Sequence, residues 1–164
     1  MKIEQVMTKN VFSCYLDDSL NAAVQIMWEH DCGCVPVVDY LSRVVGIVTD
    51  RDACMAAYTQ GRPLAEILVS EICTRNVEGC RLGESVSVAE QKMAKAQVRR
   101  LVVTDAEDHL VGIVSLSDLA HLMLSTHDKV SGLGARSIST VLEAVSRARP
   151  HTPEIKNNGT RAHH

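Results

Sequence analysis

The sequence repeats itself at an offset of 66 residues. Residues 3–54 align with residues 69–120 without a gap, and sixteen of these 52 pairs are identical. A chance alignment would give only a few identities, so the chain holds two copies of one unit and a tail. Two copies are too few for a solenoid, and the repeat therefore predicts a closed module of two units. A turn at residues 61–63 marks the join, which gives units at 1–60 and 61–125 and a tail at 126–164.

Each copy predicts the same elements: an extended segment, a helix, two strands joined by a turn, and a second helix. In the first copy a cap at Ser19 precedes a helical apolar spacing formed by Leu20, Ala23, Val24, Met27 and Trp28. β-rich runs follow at 35–38 and 44–48, and again at 101–103 and 110–114. The second helices are predicted at 50–58 and 116–124. The predicted fold class is therefore α+β.

The tail predicts one further helix. Apolar residues at helical spacing are Ile138, Val141, Leu142 and Val145. This helix either folds back over the module or docks on a second copy. The run after Pro150 lacks apolar spacing and is expected to be mobile. Residues 131–164 carry five basic and two acidic side chains, a net charge of +3.

Composition excludes several classes of protein. The net charge of −3 does not indicate binding to nucleic acid by bulk charge, and all five aromatic residues precede residue 60, which argues against a base-stacking platform. No apolar run approaches 18 residues, and the N-terminus lacks the apolar core of a signal peptide, so we expect a cytoplasmic protein without a membrane span. Cys32 and Cys34 have no second pair nearby, so we expect six reduced thiols and no metal site.

The most specific motif closes the second strand of each copy, at residues 46–52 (GIVTDRD) and 112–118 (GIVSLSD). A strand runs into a helix with a hydroxyl at the junction and an aspartate three residues later. One interpretation is a capping box, in which the hydroxyl and the aspartate satisfy the helix end. The other is a ligand site: the helix N-terminus attracts phosphate, the aspartate accepts a ribose diol, and the glycine admits a ligand close to the backbone.

Taken together, the repeats resemble a tandem pair of CBS (cystathionine-β-synthase) domains, the arrangement called a Bateman module. The matching segments are 6–8, 35–39 and 46–52 in the first unit, and 72–74, 99–105 and 112–118 in the second. The resemblance covers about residues 1–125. It departs from the family pattern at Val102, where the first copy has Pro36, and at Cys73, where methionine is usual.

The resemblance implies two β-α-β-β-α units related by a pseudo-twofold axis, with two clefts between them. Such modules bind AMP, ADP, ATP or a related adenosyl ligand, pass the signal to an effector protein, and pair into a flat homodimer through their helices. Carried over by position, Asp52 and Asp118 would hold the ribose. Thr49, Ser115, Arg51 and Ser117 would face phosphate, and Ile47 and Ile113 would pack on adenine. Backbone groups for the adenine edge would come from the segments that follow Thr8 and Thr74, at Val11, Phe12, Val77 and Glu78.

The resemblance also implies that each opening segment completes the cleft of the other unit: Thr8 that of Asp118, and Thr74 that of Asp52. The two clefts differ in sequence, because Arg99 and Arg100 stand where the first copy has Gly33 and Cys34. A guanidinium pairs with phosphate and a thiol does not. We therefore expect the Asp118 cleft to prefer polyphosphate ligands. The alternative is that both arginines are solvated.

No set of nucleophile, base and orienting residue stands out, so the chain is not expected to be an enzyme. CBS pairs also occur within inosine-monophosphate dehydrogenases, but the barrel of such enzymes needs about 200 residues or more. The leading hypothesis is a regulatory module that senses adenine nucleotides. One alternative is a structural homodimerisation module with empty clefts, and a third is a nucleic-acid-binding regulator that uses the basic tail.

Overall fold

The computed structural model describes residues 1–125 and 133–147 of the chain. Its elements in chain order are α1 (Leu20–Glu29), β1 (Cys34–Val38), β2 (Val44–Thr49), α2 (Asp50–Gln60), α3 (Val69–Ile72), β3 (Gly79–Arg81), α4 (Val86–Ala96), β4 (Arg100–Thr104), β5 (Leu110–Ser115), α5 (Leu116–Ser125) and α6 (Leu133–Ser146). Short 3-10 turns lie at Ile3–Gln5 and Leu64–Glu66. The predicted α+β class with two repeated units is confirmed.

The second unit shows the full order of strand, helix, strand, strand and helix. Its sheet has the order β3-β4-β5, with β3 parallel to β4 and β4 antiparallel to β5. In the first unit β1 and β2 form an antiparallel pair, and the opening strand is reduced to one parallel bridge from Cys14 to Val37. The equivalent residues of the second unit, Cys80 and Val103, are partners in the β3–β4 register. The repeat in the sequence is therefore also a repeat in strand pairing.

Caps fix where the first helix of each unit begins. The Ser19 hydroxyl accepts a hydrogen bond from the Ala22 N–H, and Ser85 does the same for Val88, both at 3.3 Å. Both serines are the predicted caps, and each supplies an acceptor for an N–H that the helix itself leaves unpaired. Local sequence therefore sets the start of α1 and α4.

The first eight residues of each copy cross to the other unit. Thr8 pairs with Ile113 through two backbone hydrogen bonds of 2.9 and 3.0 Å, and Thr74 pairs with Ile47 through two of the same lengths. Earlier in the same segments, the Ile3 N–H donates to the Glu84 carbonyl. The equivalent Val69 N–H donates to the Asp18 carbonyl. The exchange of opening segments that the resemblance implies is present in the structure.

Two hydrophobic cores follow from this exchange. The first contains Leu20, Ala23, Met27, Val35, Val37 and Val48, together with Ile67 and Val69 from the start of the second copy. The second contains Ala89, Met93, Leu101, Val103, Val114 and Leu119, together with Ile3 from the start of the first copy and Val141 and Val145 from α6. Each core is thus completed by residues that lie far away in the sequence.

The tail helix folds back over the second unit, which is one of the two positions left open by the sequence. α6 packs against α4 and α5, and Val141 and Val145 are buried there. Two predicted core residues are not in a core: Leu142 is 51% exposed and Trp28 is 88% exposed. Apolar spacing placed both on a packed face, but nothing in the described chain covers the side of the helix on which each lies. The segment after Pro150 lies outside the described residues.

Candidate functional site

The first junction, where β2 runs into α2, is built around Asp52. One of its carboxylate oxygens, Oδ2, accepts hydrogen bonds from the Thr49 N–H at 2.9 Å and the Thr49 hydroxyl at 2.8 Å. In return, the Asp52 N–H donates to the Thr49 hydroxyl oxygen at 3.2 Å. This reciprocal pattern is a capping box, and it holds the carboxylate in one orientation at the start of the helix.

The second junction, where β5 runs into α5, repeats the same bonds. Asp118 Oδ2 accepts from the Ser115 N–H at 2.7 Å and from the Ser115 hydroxyl at 2.6 Å. The Asp118 N–H donates back to the Ser115 hydroxyl oxygen at 3.2 Å. Since two separate segments build the same bonds, the short motif itself determines this geometry.

The capping box leaves part of each carboxylate free. Within the described residues, Oδ1 of Asp52 and Oδ1 of Asp118 accept no hydrogen bond, and both side chains are partly exposed. An oriented carboxylate oxygen without a partner is a strong acceptor for hydroxyl groups. The two interpretations of the motif are therefore compatible, because Oδ2 serves the cap and Oδ1 faces outward.

The helix ends differ in how many N–H groups remain open. In α2, the Asp50 N–H donates to the Gly33 carbonyl and the Arg51 N–H donates to the Asp50 carboxylate at 2.7 Å. In α5, Leu116 stands in place of Asp50, and the Ser117 N–H has no acceptor among the described residues. The second junction thus offers an open donor and lacks the extra negative charge of the first.

The opening segments run alongside the junctions of the opposite unit. Thr8 is bonded to Ile113 and Thr74 to Ile47, while Ile113 and Ile47 themselves are half-buried. The Val11 N–H donates to the Lys9 carbonyl and the Val77 N–H to the Arg75 carbonyl, so neither is available to a ligand. The N–H groups of Phe12 and Glu78 have no acceptor within the part of the chain that the structure describes.

The glycines of the two motifs admit polypeptide rather than a ligand. A Cβ on Gly112 would lie 2.5 Å from Met7 Sδ and 3.0 Å from the Thr8 carbonyl oxygen. A Cβ on Gly46 would lie 3.1 Å from Cys73 Sγ and 3.3 Å from the Thr74 carbonyl oxygen. The expectation of close ligand approach at these positions is wrong, because the crossing segment of the other unit already fills the space.

Arg100 reaches from the second unit towards the first. Its backbone pairs with Ser115 in the β4–β5 register, but its guanidinium lies 3.0 Å from the point where a Cβ on Gly33 would be. The Asp50 carboxylate lies 3.1 Å from the same point. The sequence pattern assigned this arginine to the Asp118 cleft, whereas the structure places its charge beside the first junction. Arg99 is exposed, and its carbonyl accepts the Leu116 N–H at the second junction.

Cys34 and Phe12 have structural surroundings of their own. Burial raises the pKa of the Cys34 thiol to about 11, although the nearby Arg100 charge opposes this shift. A neutral, buried thiol offers no charge to a phosphate. Phe12 is 50% exposed and stacks on His30, with ring centroids 3.4 Å apart. Sequence reasoning missed His30, because the contact joins the end of α1 to a segment 18 positions earlier in the chain.

A cleft of about 360 Å³ opens beside residues 75–81 and includes Val77 from the predicted site. Three cations line it. Lys92 is paired with Glu84 at 2.8 Å and Arg81 with Asp108 at 2.6 Å, whereas Arg75 has no ion pair among the described residues. The sequence analysis did not single out this basic cluster, since its members come from four elements that the fold brings together.

Among the described residues, Asp105, Glu107 and His109 form the one group with three potential metal-ligand atoms close together. The Asp105 carboxylate already accepts three hydrogen bonds, from the Glu107 and His109 N–H groups and from the His109 ring. Desolvation opposes the shift, but these bonds hold the pKa of Asp105 below its ordinary value. The group is therefore a satisfied turn between β4 and β5. Cys32 and Cys34 belong to no such group in the described chain.

The helices of the described part are all too short or too polar to cross a membrane.

Known proteins share this sequence pattern and fold. The model of the CBS domain family matches the chain twice, over residues 3–58 and 69–125. The CBS domain-containing protein YhcV of Bacillus subtilis is 33% identical over 135 residues, which cover 80% of this chain and 91% of that protein. The human 5'-AMP-activated protein kinase subunit gamma-3 is 30% identical over 119 residues, which are 69% of this chain and 24% of that subunit.

A solved structure gives the same picture in three dimensions. The CBS domain pair of protein MJ0100, in complex with 5'-methylthioadenosine and S-adenosyl-L-methionine, has a TM-score of 0.70 and 26% identity to this chain. The match covers 77% of this chain and 98% of that domain pair. Both the repeat and its exchanged arrangement thus have a counterpart of known structure.

Proposed function

The chain belongs to the CBS domain family, and on that premise we propose that it is a non-catalytic regulatory module whose two clefts bind an adenosyl ligand. Domain pairs of this kind are in general regulatory modules, and the pair of MJ0100 holds adenosyl compounds. The observation that carries the proposal is the pair of junctions, where a capped aspartate keeps one carboxylate oxygen free beside a crossing segment of the other unit.

In each cleft the aspartate is proposed to accept the two ribose hydroxyls through its free oxygen. Adenine would lie against Ile47 or Ile113, and its edge would meet the open N–H of Glu78 or Phe12 from the crossing segment. Aliphatic side chains take up an adenine face by burial of apolar area, and an N–H at the edge fixes its orientation. The first cleft thus combines Asp52 with the segment after Thr74, and the second combines Asp118 with the segment after Thr8.

Phosphate recognition is proposed to differ between the clefts. The Thr49 and Ser115 hydroxyls donate to their aspartates, so these protons are engaged while the caps are intact. At the second junction the open Ser117 N–H and hydroxyl remain for phosphate, without a carboxylate at the position of Leu116. At the first junction Arg51 and Arg100 face the charge of Asp50. We therefore assign ligands with more phosphates to the Asp118 cleft and AMP or an uncharged adenosyl ligand to the Asp52 cleft.

The module is further proposed to act in the cytoplasm as a homodimer that signals to an effector protein. Six free cysteines fit a reducing compartment. A structural dimer with empty clefts is the second candidate, and the open face of α1, with Trp28 88% exposed, is the observation that favours it.

Calorimetric titration of AMP, ATP and S-adenosylmethionine into the full chain separates these candidates. We expect Asp118→Asn to weaken ATP binding about 10- to 100-fold, since a charge-assisted hydrogen bond contributes about 1.5–3 kcal/mol. Asp52→Asn should weaken AMP binding by a similar factor and leave ATP binding nearly unchanged. Glu66→Gln, an exposed carboxylate outside both junctions, is the matched control and should bind like wild type.

Equal losses for both ligands in both variants would contradict the division of roles between the clefts. If no adenosyl ligand gives heat or raises the melting temperature, the structural dimer becomes the better explanation. A ligand at 100 times its Kd adds about 2.7 kcal/mol to the stability of the folded state, so binding at that level cannot escape a thermal measurement.

A further inference from the structure

The helix face of the second unit is already occupied by a part of the same chain. α6 lies on α4 and α5 and buries Val141 and Val145 beside Met93 and Leu119. A hydrogen bond of 3.2 Å from Gln97 Nε2 to the Ala144 carbonyl fixes its position along α4. The structure therefore shows directly what this kind of surface accepts, namely an apolar helix face laid along two helices.

The same face of the first unit has no helix on it in the described chain. It forms a groove of about 390 Å³, which we call the open groove, lined by Val24, Met27, Trp28, Ala53, Cys54 and Ala57. The repeat relates Met27 to Met93 and Ala53 to Leu119, so the open groove lies where α6 lies in the second unit. Because alanine replaces leucine there, the floor of the groove lacks several methyl groups that fill the equivalent site.

Trp28 makes this face self-complementary. It stands where the second unit has Ala94 under α6, and it is 88% exposed at the rim of the groove. The face thus carries a projecting aromatic ring beside a cavity large enough to hold one. In a twofold contact the same patch meets itself, so each ring faces the cavity of the other copy. None of the six residues that define the open groove is charged, so this contact brings no like charges together.

We propose that the open groove receives Trp28 of a second copy, and that α6 closes the equivalent face, so that the chain dimerises through its first unit alone. Buried tryptophans in well-packed pockets are the commonest anchors of protein interfaces. This arrangement differs from the flat homodimer implied by the resemblance, in which the helices of both units take part. It rests on the proposed homodimer and is independent of the proposed ligand.

Trp28 reports on this contact directly, because it is the only tryptophan of the chain. Its emission maximum is to be followed in the full chain over a dilution series from micromolar to nanomolar, with mass measured by light scattering. We expect emission to shift to the blue as the mass rises from 17.9 kDa to twice that value. An emission maximum of exposed indole at concentrations where the chain is dimeric would overturn the proposal, because the dimer would then use another surface.

Two variants test the knob and the hole separately. Trp28→Glu removes the ring, and Cys54→Arg places a charge in the groove while keeping the tryptophan as a probe. Both should weaken dimerisation at least tenfold, and Cys54→Arg should keep the emission of exposed indole. Leu41→Glu, at a 62% exposed position in the turn between β1 and β2, is the matched control and should dimerise like wild type.

The role of α6 has its own test. Val141→Asp should release the α4–α5 face and raise the mass above that of the dimer, whereas Leu142→Asp, at an exposed position of the same helix, should not. An unchanged dimer in Trp28→Glu, or a monomeric wild-type chain at all concentrations, overturns the inference. Adenosyl binding measured in the same samples shows whether the proposed ligand function stands when the dimer interface does not.

Discussion

The two units share one hydrogen-bond plan and differ in what covers them. Both begin their first helix at a serine cap, build the same four-bond junction, and cross their opening segments with equal bond lengths. Even the left-handed backbone positions repeat, at Asp31 and Gln97 and at Ser42 and Asp108. The helix face of the second unit, however, is closed by α6, and that of the first is open around Trp28.

This comparison shows which features a repeat of 66 residues preserves. Backbone pairing requires the same local pattern twice, since each strand of one unit is completed by a segment of the other. Side chains on the outer helix faces and at the first position of α2 and α5 carry no such requirement. The two units therefore differ at their surfaces, where binding takes place, and agree in their interior.

The seat of α6 is expected to give the largest difference in stability. Val141→Asp should lower the free energy of unfolding by about 2–3 kcal/mol, because burial of a valine side chain contributes about 1.5–3 kcal/mol and a buried charge has no partner there. Leu142→Asp, one position along the helix and 51% exposed, should change it by less than about 0.5 kcal/mol. Urea unfolding of both variants measures the difference, and equal effects would show that α6 contributes little to the second unit.

The crossing segments offer a matched pair of glycines. Gly112→Ala should cost about 1–3 kcal/mol, because the new methyl group meets the Thr8 carbonyl oxygen and the Met7 side chain at distances that no relaxed contact shows. Gly46→Ala should cost less, about 1 kcal/mol, since its nearest atoms lie 3.1 Å and 3.3 Å away. Thermal unfolding ranks the two variants, and a larger loss in Gly46→Ala would mean that the first crossing is the tighter one.

Acid stability should differ slightly between the units. Desolvation of Glu84 opposes ionisation, but the bond to Lys92 holds the pKa of Glu84 below its ordinary value of 4.5. A lowered pKa stabilises the fold above pH 4.5, and this stabilisation is lost as the pH falls through the folded-state value. The equivalent residues in the first unit, Asp18 and Ile26, make no such pair.

Lys92→Met should therefore lower stability at pH 7 by about 0.5 kcal/mol and flatten its decline below pH 4.5, since both partners of the pair are partly exposed. Lys95→Met, an exposed lysine of the same helix, serves as the control and should follow the wild-type pH profile. Parallel acid titrations of the two variants would show that the ion pair makes no contribution.

Much of the fold was predictable because its signals are local. The predicted strand at 44–48 is observed as Val44–Thr49, and the predicted helix at 116–124 as Leu116–Ser125. A strand needs only a run of β-formers between turns, and a cap needs one hydroxyl at the right position. The junction aspartates were found for the same reason, since Thr49 and Asp52 lie three residues apart in the chain.

Other features were invisible in the sequence because they depend on distant partners. Apolar spacing placed Trp28 and Leu142 on packed faces, but no periodicity reveals whether a partner element covers a given side of a helix. The spacing around Gly46 and Gly112 showed that something approaches the backbone. It did not show that the visitor is the chain itself.

The sequence by itself determined the repeat, the order of elements and the capped aspartate of each unit, because these follow from short-range patterns and side-chain chemistry. Only the tertiary structure decided which unit each opening segment completes, where the Arg100 charge lies, and which helix face α6 leaves open. Those outcomes are set by packing between residues that are dozens of positions apart. In such packing the shape of one surface selects its partner, and no local pattern carries that information.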